Sequence, residues 1–415
     1  MKNLYCICLR SVTLISKFIL IIFLSRYITP SELGVYGLII ASVAWSVYVL
    51  GYDFYAINTR EILATKYDER VYLIRDQFVF HGLVYCFIFP LLLLIFFIHI
   101  LPWKYAPWFY SILILEHLAQ EGDRLLITFS RQLEANIVLF LRGGLWVYVV
   151  IVISQLTTHH MSLVFVFSGW LIGVLCAVFL VAIMFRKLNW RKVLHKKVNW
   201  LWLRKCAQRA TVLFIATMSI QAIMYLGRFF LKFYTDYEIV GVYSYFSSLL
   251  NVIPVFAYTG IFAFMMPKLV QNYNDKKFSE FKNTVNRMIF TLGCFVIITG
   301  ILASVGIFTV LAITNKIVYY NNLSVYWILL CAAICNVLAM IPHYILYAKC
   351  LDSLLLFSSI LSVIASVILN FIMIKYFGII GAAIAMLFVY LIMGGSKLIM
   401  VLIAKPKMIT GFSSL

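Results

Sequence analysis

The sequence predicts an all-α polytopic membrane protein of about twelve transmembrane helices in two six-helix lobes. Three observations carry that reading: an excess of apolar residues, a one-sided distribution of Lys and Arg, and a likeness between the two halves of the chain. Of 415 residues, 64% are hydrophobic and 12% charged, and the mean hydropathy is +1.00. Soluble domains are roughly 45–50% apolar and about 25% charged. A membrane helix takes about 20 apolar residues, so the apolar content supplies roughly twelve spans and little else. The longest polar stretch, Arg186 to Arg209, is too short for a catalytic domain. That excludes soluble enzymes and transporters that carry a nucleotide-binding domain on the same chain.

Apolar runs between polar breaks place helices at about 4–24, 34–54, 78–100, 106–129, 135–156, 162–185, 210–231, 240–265, 288–311, 323–347, 353–374 and 378–402. The first run is interrupted by Arg10 and Lys17 and is followed by no A-x-A site, so it reads as an uncleaved helix rather than a signal peptide. The fourth is the least apolar, carrying Glu116, His117, Gln120, Glu121, Asp123 and Arg124. It counts as a span because without it the following loops fall on the wrong side. Leu101-Pro102-Trp103-Lys104-Tyr105, between the third and fourth helices, is an aromatic-rich turn suited to a membrane interface. Pro90, Pro254, Pro267 and Pro342 interrupt helices and read equally as hinges or as packing kinks.

Charge sets the orientation. The chain has 34 Lys and Arg against 15 Asp and Glu, a net +19. With both termini cytoplasmic, the inner loops collect 24 Lys and Arg, nine of them between Arg186 and Arg209, and the outer side only Arg26, Lys104, Lys232, Lys316 and Lys375. This is the positive-inside pattern. The excess is therefore topology and attraction to anionic lipid, with no nucleic-acid partner implied.

The halves share a pattern. Gly34-Val35-Tyr36 opens the second helix after an acidic turn, and Gly241-Val242-Tyr243 opens the eighth after another, 207 residues on. Basic, partly amphipathic inner loops follow both, at 55–77 and 266–287. A chance recurrence of a short tripeptide is the competing reading. The matched surroundings favour a parallel repeat: an N-lobe at 1–185, a basic cytoplasmic linker at 186–209 and a C-lobe at 210–415. Bundles of this kind carry substrate between their halves by rocking.

Several motifs resemble those of the Wzx-type polysaccharide flippases of the multidrug/oligosaccharidyl-lipid/polysaccharide (MOP) superfamily. The run Ile28-Thr29-Pro30-Ser31-Glu32-Leu33-Gly34-Val35-Tyr36 is similar to the family's L-x-P-x-x-[FYL]-G-x-[YF]. Leu50-Gly51-Tyr52-Asp53-Phe54, Asn58-Thr59-Arg60-Glu61 and Arg142-Gly143-Gly144-Leu145-Trp146 follow in order, and Tyr376-Phe377-Gly378-Ile379-Ile380-Gly381-Ala382-Ala383 resembles the family's Y-G-x-x-G-A-A. The resemblance implies a flippase in the bacterial inner membrane, moving undecaprenyl-pyrophosphate-linked O-antigen or polysaccharide repeat units outward. It also implies polymerase and chain-length-regulator partners. Where relatives often have an acid before the basic residue of helix seven, Gly227 precedes Arg228, so no ion or proton site is expected there.

Ionisable groups inside the bilayer are the candidate site, because each costs roughly 2.5–3.5 kcal/mol at mid-membrane. Arg10 and Lys17 lie seven residues apart, on one face of the first helix. With Arg142 and Arg228 they form the proposed cationic substrate-binding set, able to meet phosphate oxygens. Arg10 and Arg228 are also placed where a side chain can snorkel to an interface, and Arg142 where it can pair with an acid of the fourth helix. On that helix Glu116, Gln120 and Asp123 share one stripe and His117, Glu121 and Arg124 the next. Glu116, His117, Glu121 and Asp53 are the candidate coupling or ion-pair partners. His81 stands alone on an apolar run and reads as a packing histidine.

Two rival classes stay open. A multidrug or organic-cation antiporter of the same superfamily would be expected to have acids facing its cavity, yet here the intramembrane balance is positive. A membrane polymerase needs a sizeable outer loop and an acyltransferase a deep His with a polar partner, for which His343 after Pro342 is only a faint match. The nine cysteines include no C-x-x-C, and no nucleophilic triad, metal-ligand cluster or phosphate-cradling glycine loop is visible. No enzymatic activity, metal or cofactor is therefore expected.

Overall fold

The structure is a computed structural model describing residues 2–157 and 161–403. Lys405 and Lys407, counted on the inner side, lie outside the described residues, as do the C-terminus and the side chain of Lys2. Among the described residues every regular element is helical.

Helix α1 (Lys2–Tyr27) leads through a tight turn into α2 (Pro30–Gly51). The Thr29-Pro30-Ser31-Glu32 part of the flippase-like motif is a helix start. Thr29 Oγ1 accepts from the Glu32 amide at 3.2 Å, the Glu32 carboxylate accepts from the Thr29 amide at 3.0 Å, and Pro30 occupies the first turn. At the other end Tyr52 and Asp53 both take the left-handed conformation (φ 50 and 49), which turns the chain into the short α3 (Phe54–Ala64). There follow α4 (Arg70–Leu92), the single turn α5 (Leu94–Phe97) and α6 (Ala106–Thr128). The fifth span is α7 (Gln132–Phe140) and α8 (Trp146–Leu156), joined by a π-helical turn at Leu141–Leu145, and the sixth is α9 (Leu163–Phe185).

The remainder comprises α10 (Trp200–Tyr234), α11 (Tyr237–Leu250), α12 (Val252–Ala257), a second π turn at Tyr258–Phe262 and α13 (Ala263–Asn274). It ends with α14 (Phe278–Thr314), α15 (Ile317–Asn321), α16 (Leu323–Ala348) and α17 (Asp352–Ile403). Gly378 (φ 55, ψ −130) breaks α17 into two arms. They run antiparallel, since the Ser358 and Ser396 hydroxyls hydrogen-bond at 2.7 Å and a Cβ on Gly381 would meet the Met373 carbonyl oxygen at 1.9 Å.

Ten helical stretches among the described residues are long and apolar enough to cross a membrane, and one of them is the two-armed α17. Helix α6 is not among the ten because Glu116, His117, Gln120, Glu121, Asp123 and Arg124 make it too polar, though its 23 residues measure about 34 Å. The protein is a multi-pass membrane protein with spans where the sequence places them. Several helices are longer than expected, among them α4, which starts at Arg70 rather than 78, and α13, which runs to Asn274 rather than 265. α10 starts at Trp200 rather than 210, and α14 at Phe278 rather than 288. Their polar first turns continue the helix beyond the apolar run that marks a span.

The chain forms two compact units. One runs up to Gln221 and takes in Thr235–Tyr245; the other comprises Ala222–Tyr234 and the chain from Phe246 on. In the first, α6 packs against α9, α2 and α7, and α1 against α7 and the first π turn. Gly34 and Gly241 meet there reciprocally. A Cβ on Gly34 would lie 1.9 Å from the Tyr237 carbonyl oxygen, and one on Gly241 1.9 Å from that of Pro30. The basic segment after α9 is fastened to α4. Arg75 donates to the carbonyls of Val193, Lys196 and Lys197, while Asp76 pairs with Arg75 and accepts from the Asn199 amide. In the second unit α16 packs along α17, and Phe246 sits against the rings of Tyr319 and Tyr326.

Candidate functional site

Two polar faces of α6 organise the first unit, as the two stripes in its sequence anticipate. On one, Glu116 faces the first π turn. Arg142 Nε lies 3.5 Å from Glu116 Oε2, and its Nη1 donates to the Glu116 carbonyl at 3.4 Å. The other carboxylate oxygen accepts from Trp170 Nε1 at 2.6 Å. Both side chains of this ion pair keep some exposure, 14% and 15%. Asp123, on the same stripe, lies within electrostatic reach of Arg142 and Arg10.

Helix α1 closes on this face because Gly143 and Gly144 let it approach. A Cβ on Gly143 would lie 3.3 Å from Thr13 Cγ2, and one on Gly144 3.3 Å from Thr13 Cα. Ser16 Oγ is 3.3 Å from the Gly143 carbonyl oxygen as donor. A π turn redirects side chains within a helix and frees carbonyls, and here it aims Arg142 at α6. Lys17 follows Ser16, with its Cε 3.7 Å from where a Gly143 Cβ would sit, and interacts electrostatically with both Arg142 and Glu116. Its side chain is exposed, and among the described residues no carboxylate lies within ion-pair distance of it. Arg10 is exposed as well and donates to Asn136 Oδ1 of α7 at 3.0 Å. Of these three cations only Arg142 has a carboxylate at ion-pair distance among the described residues; Arg10 is held by the Asn136 amide, and Lys17 has neither kind of partner. Trp146 and Trp170 stack with ring centroids 6.2 Å apart and are only 7% and 8% exposed. They back the face rather than line it.

The second face of α6 is closed. His117 and Glu121 are fully buried, against α2 and α4. Arg124 Nη1 donates to Glu121 Oε1 at 2.6 Å and Gln77 Nε2 to Glu121 Oε2 at 2.6 Å, and Asn58 Nδ2 donates in turn to Gln77. The Arg124 guanidinium stacks 3.7 Å from the centre of the Tyr55 ring. His81 is not the lone packing residue the sequence presents. Its ring lies 4.7 Å from that of His117, and its Nε2 lies 3.6 Å from Glu121 Oε2. Asp53 is 7% exposed, and its Oδ2 accepts no hydrogen bond among the described residues.

In the second unit Arg228 is 8% exposed, donates to Ser247 Oγ at 3.1 Å and stacks 5.7 Å from the Tyr225 ring. A snorkelling head would be displayed rather than enclosed, so that reading of Arg228 is replaced by an internal polar contact. Sequence reasoning passes over Lys397 altogether. It is 2% exposed on the second arm of α17, and His343 of α16 lies within its electrostatic reach. No carboxylate lies within ion-pair distance of it among the described residues. The available signal was a lysine inside the last apolar run.

Antiparallel helical spans, π turns and charged residues held inside an apolar bundle define the class: a polytopic helical membrane protein. Two solved structures share the fold across nearly the whole chain. An inward-facing multidrug resistance MATE family transporter of the MOP superfamily superposes with a TM-score of 0.75 at 13% identity, covering 95% of this chain and 97% of its own. The lipid II flippase MurJ, in an inward closed conformation, gives 0.72 at 16% identity, with 96% and 87% covered. At such identities the likeness establishes the fold, and function has to be argued from the site. No protein-family model and no curated protein matches the chain by sequence.

Proposed function

We propose that the chain is a MOP-superfamily flippase of the Wzx type, moving lipid-linked oligosaccharide repeat units from the cytoplasmic to the periplasmic leaflet of the bacterial inner membrane. The observation that carries this reading is Lys17: a cation in the middle of a membrane helix, deep among neighbouring atoms yet with accessible surface, beside Arg142 and with no carboxylate at ion-pair distance among the described residues. An uncompensated charge there is costly and implies a ligand that supplies the counter-charge. A pyrophosphate carries that charge and has oxygens for both an ammonium and a guanidinium. Arg10 extends the cationic line along α1, and Glu116 fixes the direction of Arg142. Arg228 and Lys397 are buried cations of the second unit. The chain transports without making or breaking covalent bonds, and it works beside the polymerase and chain-length regulator that consume its product.

The MATE neighbour supports a second reading, a multidrug antiporter, because that protein is a multidrug resistance transporter. Organic cations need acids in the binding face, and here the surplus is positive. Reconstitution separates the two. Vesicles containing the protein should transfer lipid-linked repeat units of the native host between leaflets and should not accumulate fluorescent organic cations. Cation accumulation without lipid transfer would overturn the flippase reading.

A further inference from the structure

The geometry points to a divalent transition-metal site formed by His81, His117 and Glu121 inside the first unit. The ligand atoms of these three buried residues lie within 4.8 Å of one another. Each imidazole has one nitrogen committed elsewhere. His81 Nδ1 lies 3.1 Å from the Leu50 carbonyl oxygen, which can only accept, so Nδ1 carries the proton and Nε2 presents a lone pair. His117 Nδ1 lies 2.6 Å from Tyr85 Oη. When Nδ1 donates to Tyr85, its Nε2 also presents a lone pair. Both Nε2 atoms are buried and have no hydrogen-bond partner among the described residues. They approach the Glu121 oxygens at 3.6 and 3.9 Å, too long for hydrogen bonds. Gln77 and Arg124 use one lone pair on each carboxylate oxygen, which leaves another on each for a metal.

With that tautomer of His117, three sets of lone pairs converge with no donor between the two imidazoles and the carboxylate, Arg124 approaching Glu121 from outside the set. Such an arrangement is repulsive by itself and is completed by a cation. Two imidazoles and a carboxylate suit zinc and its neighbours rather than sodium or magnesium. Around an ion with bonds of about 2.0–2.1 Å, tetrahedral ligands stand roughly 3.3–3.4 Å apart, so the two imidazole–carboxylate approaches of 3.6 and 3.9 Å need to contract by a few tenths of an ångström, and no separation in the set, all within 4.8 Å, by more than about 1.4 Å. The outer contacts are those of metal-bound histidines, in which the second ring nitrogen donates to a carbonyl or another acceptor. Gly51 borders the cluster: a Cβ there would stand 3.5 Å from both His117 Nε2 and Glu121 Oε1. Asp53 adds negative charge to the same quarter, since Tyr55 interacts electrostatically with Arg124, Asp53 and Glu121 alike. Sequence patterns miss the set because His81 lies on a different helix from His117 and Glu121.

The test uses tag-free full-length protein in detergent, stripped with chelator and titrated with Co²⁺. One equivalent should bind, with the intense visible bands of a four-coordinate nitrogen–oxygen site, and Zn²⁺ should displace it. His81→Gln and His117→Gln should each weaken binding at least about a hundredfold, while His99→Gln, on an exposed residue, should leave it unchanged. If either ligand variant fails to elute as a monodisperse species, Tyr85→Phe and Gly51→Ala decide. The first removes an outer partner and should cost about tenfold; the second should weaken binding by crowding the site. Absence of stoichiometric Co²⁺ in the wild type, or wild-type affinity in the ligand variants or in both milder ones, would overturn the site and leave a cluster that holds protons only.

Discussion

The two polar faces of α6 are built from the same residue types and have opposite characters. On the face toward α2 and α4, Glu121 is fully buried and its oxygens are taken up by Arg124 and Gln77. On the face toward the first π turn, Glu116 and Arg142 keep partial exposure, and Lys17 beside them has no carboxylate at ion-pair distance. Burial with matched partners makes a structural element, because removing either member strands the other in a low-dielectric interior. Exposure with a surplus of one sign makes a place where something else must bring the opposite charge. On the proposed reading, one helix carries a part that holds the unit together and a part that meets a ligand.

The same substitution on each face should separate these roles. Glu121→Gln removes a fully buried carboxylate from Arg124, whose own side chain keeps 14% exposure, and should cost up to about 3–5 kcal/mol. In purified protein that would appear as a large fall in the thermal unfolding midpoint and in a sharp loss of membrane abundance. Comparable stability of Glu121→Gln and wild type would erase the distinction. The Gly34–Gly241 crossing offers a mark of intermediate size outside both faces. Gly34→Ala and Gly241→Ala should each destabilise by at least about 1–3 kcal/mol through backbone clash. Gly82→Ala, with nothing within 4 Å of the added Cβ, should stay within about 0.5 kcal/mol.

Glu116→Gln should be the mildest for stability, at about 0–1 kcal/mol, since a partly hydrated pair contributes little. Its effect belongs to transport, read together with Arg142→Ala in a double-mutant cycle of export rates. If the pair only orients Arg142 toward substrate, Arg142→Ala remains defective whichever residue stands at 116. Recovery of export in the double variant would mean that the defect came from an orphaned Glu116, and Arg142 would then leave the substrate face.

Much of this fold is legible in the sequence because a membrane span has one dominant signal, an apolar run of fixed length. Even α6, too charged for that signal, is recovered from the sidedness of its neighbours. The early starts of α10 and α14 are not legible, since a helix outside the apolar run has no such mark. The π turn at Leu141–Leu145 is foreshadowed by Gly143-Gly144, but a glycine pair equally marks simple close packing. Of the site, the Arg10–Lys17 spacing and the two stripes of α6 can be read from helical periodicity. The partners of Glu121 cannot, because Gln77 and His81 are brought to it by the packing of α4. Lys397 escapes notice because a lysine near the end of a last span looks like an interface residue until its burial is known.

The central claim is that the unmatched charge on α1 binds substrate rather than stabilises the fold, and Lys17→Ala tests it most directly. Expressed in a host lacking its own flippase, the variant should accumulate in the membrane at wild-type abundance, unfold at the wild-type midpoint and export almost no surface polysaccharide. Lys17→Arg should restore part of the export, because the charge survives while its geometry changes. Wild-type export by Lys17→Ala at normal abundance would contradict the account.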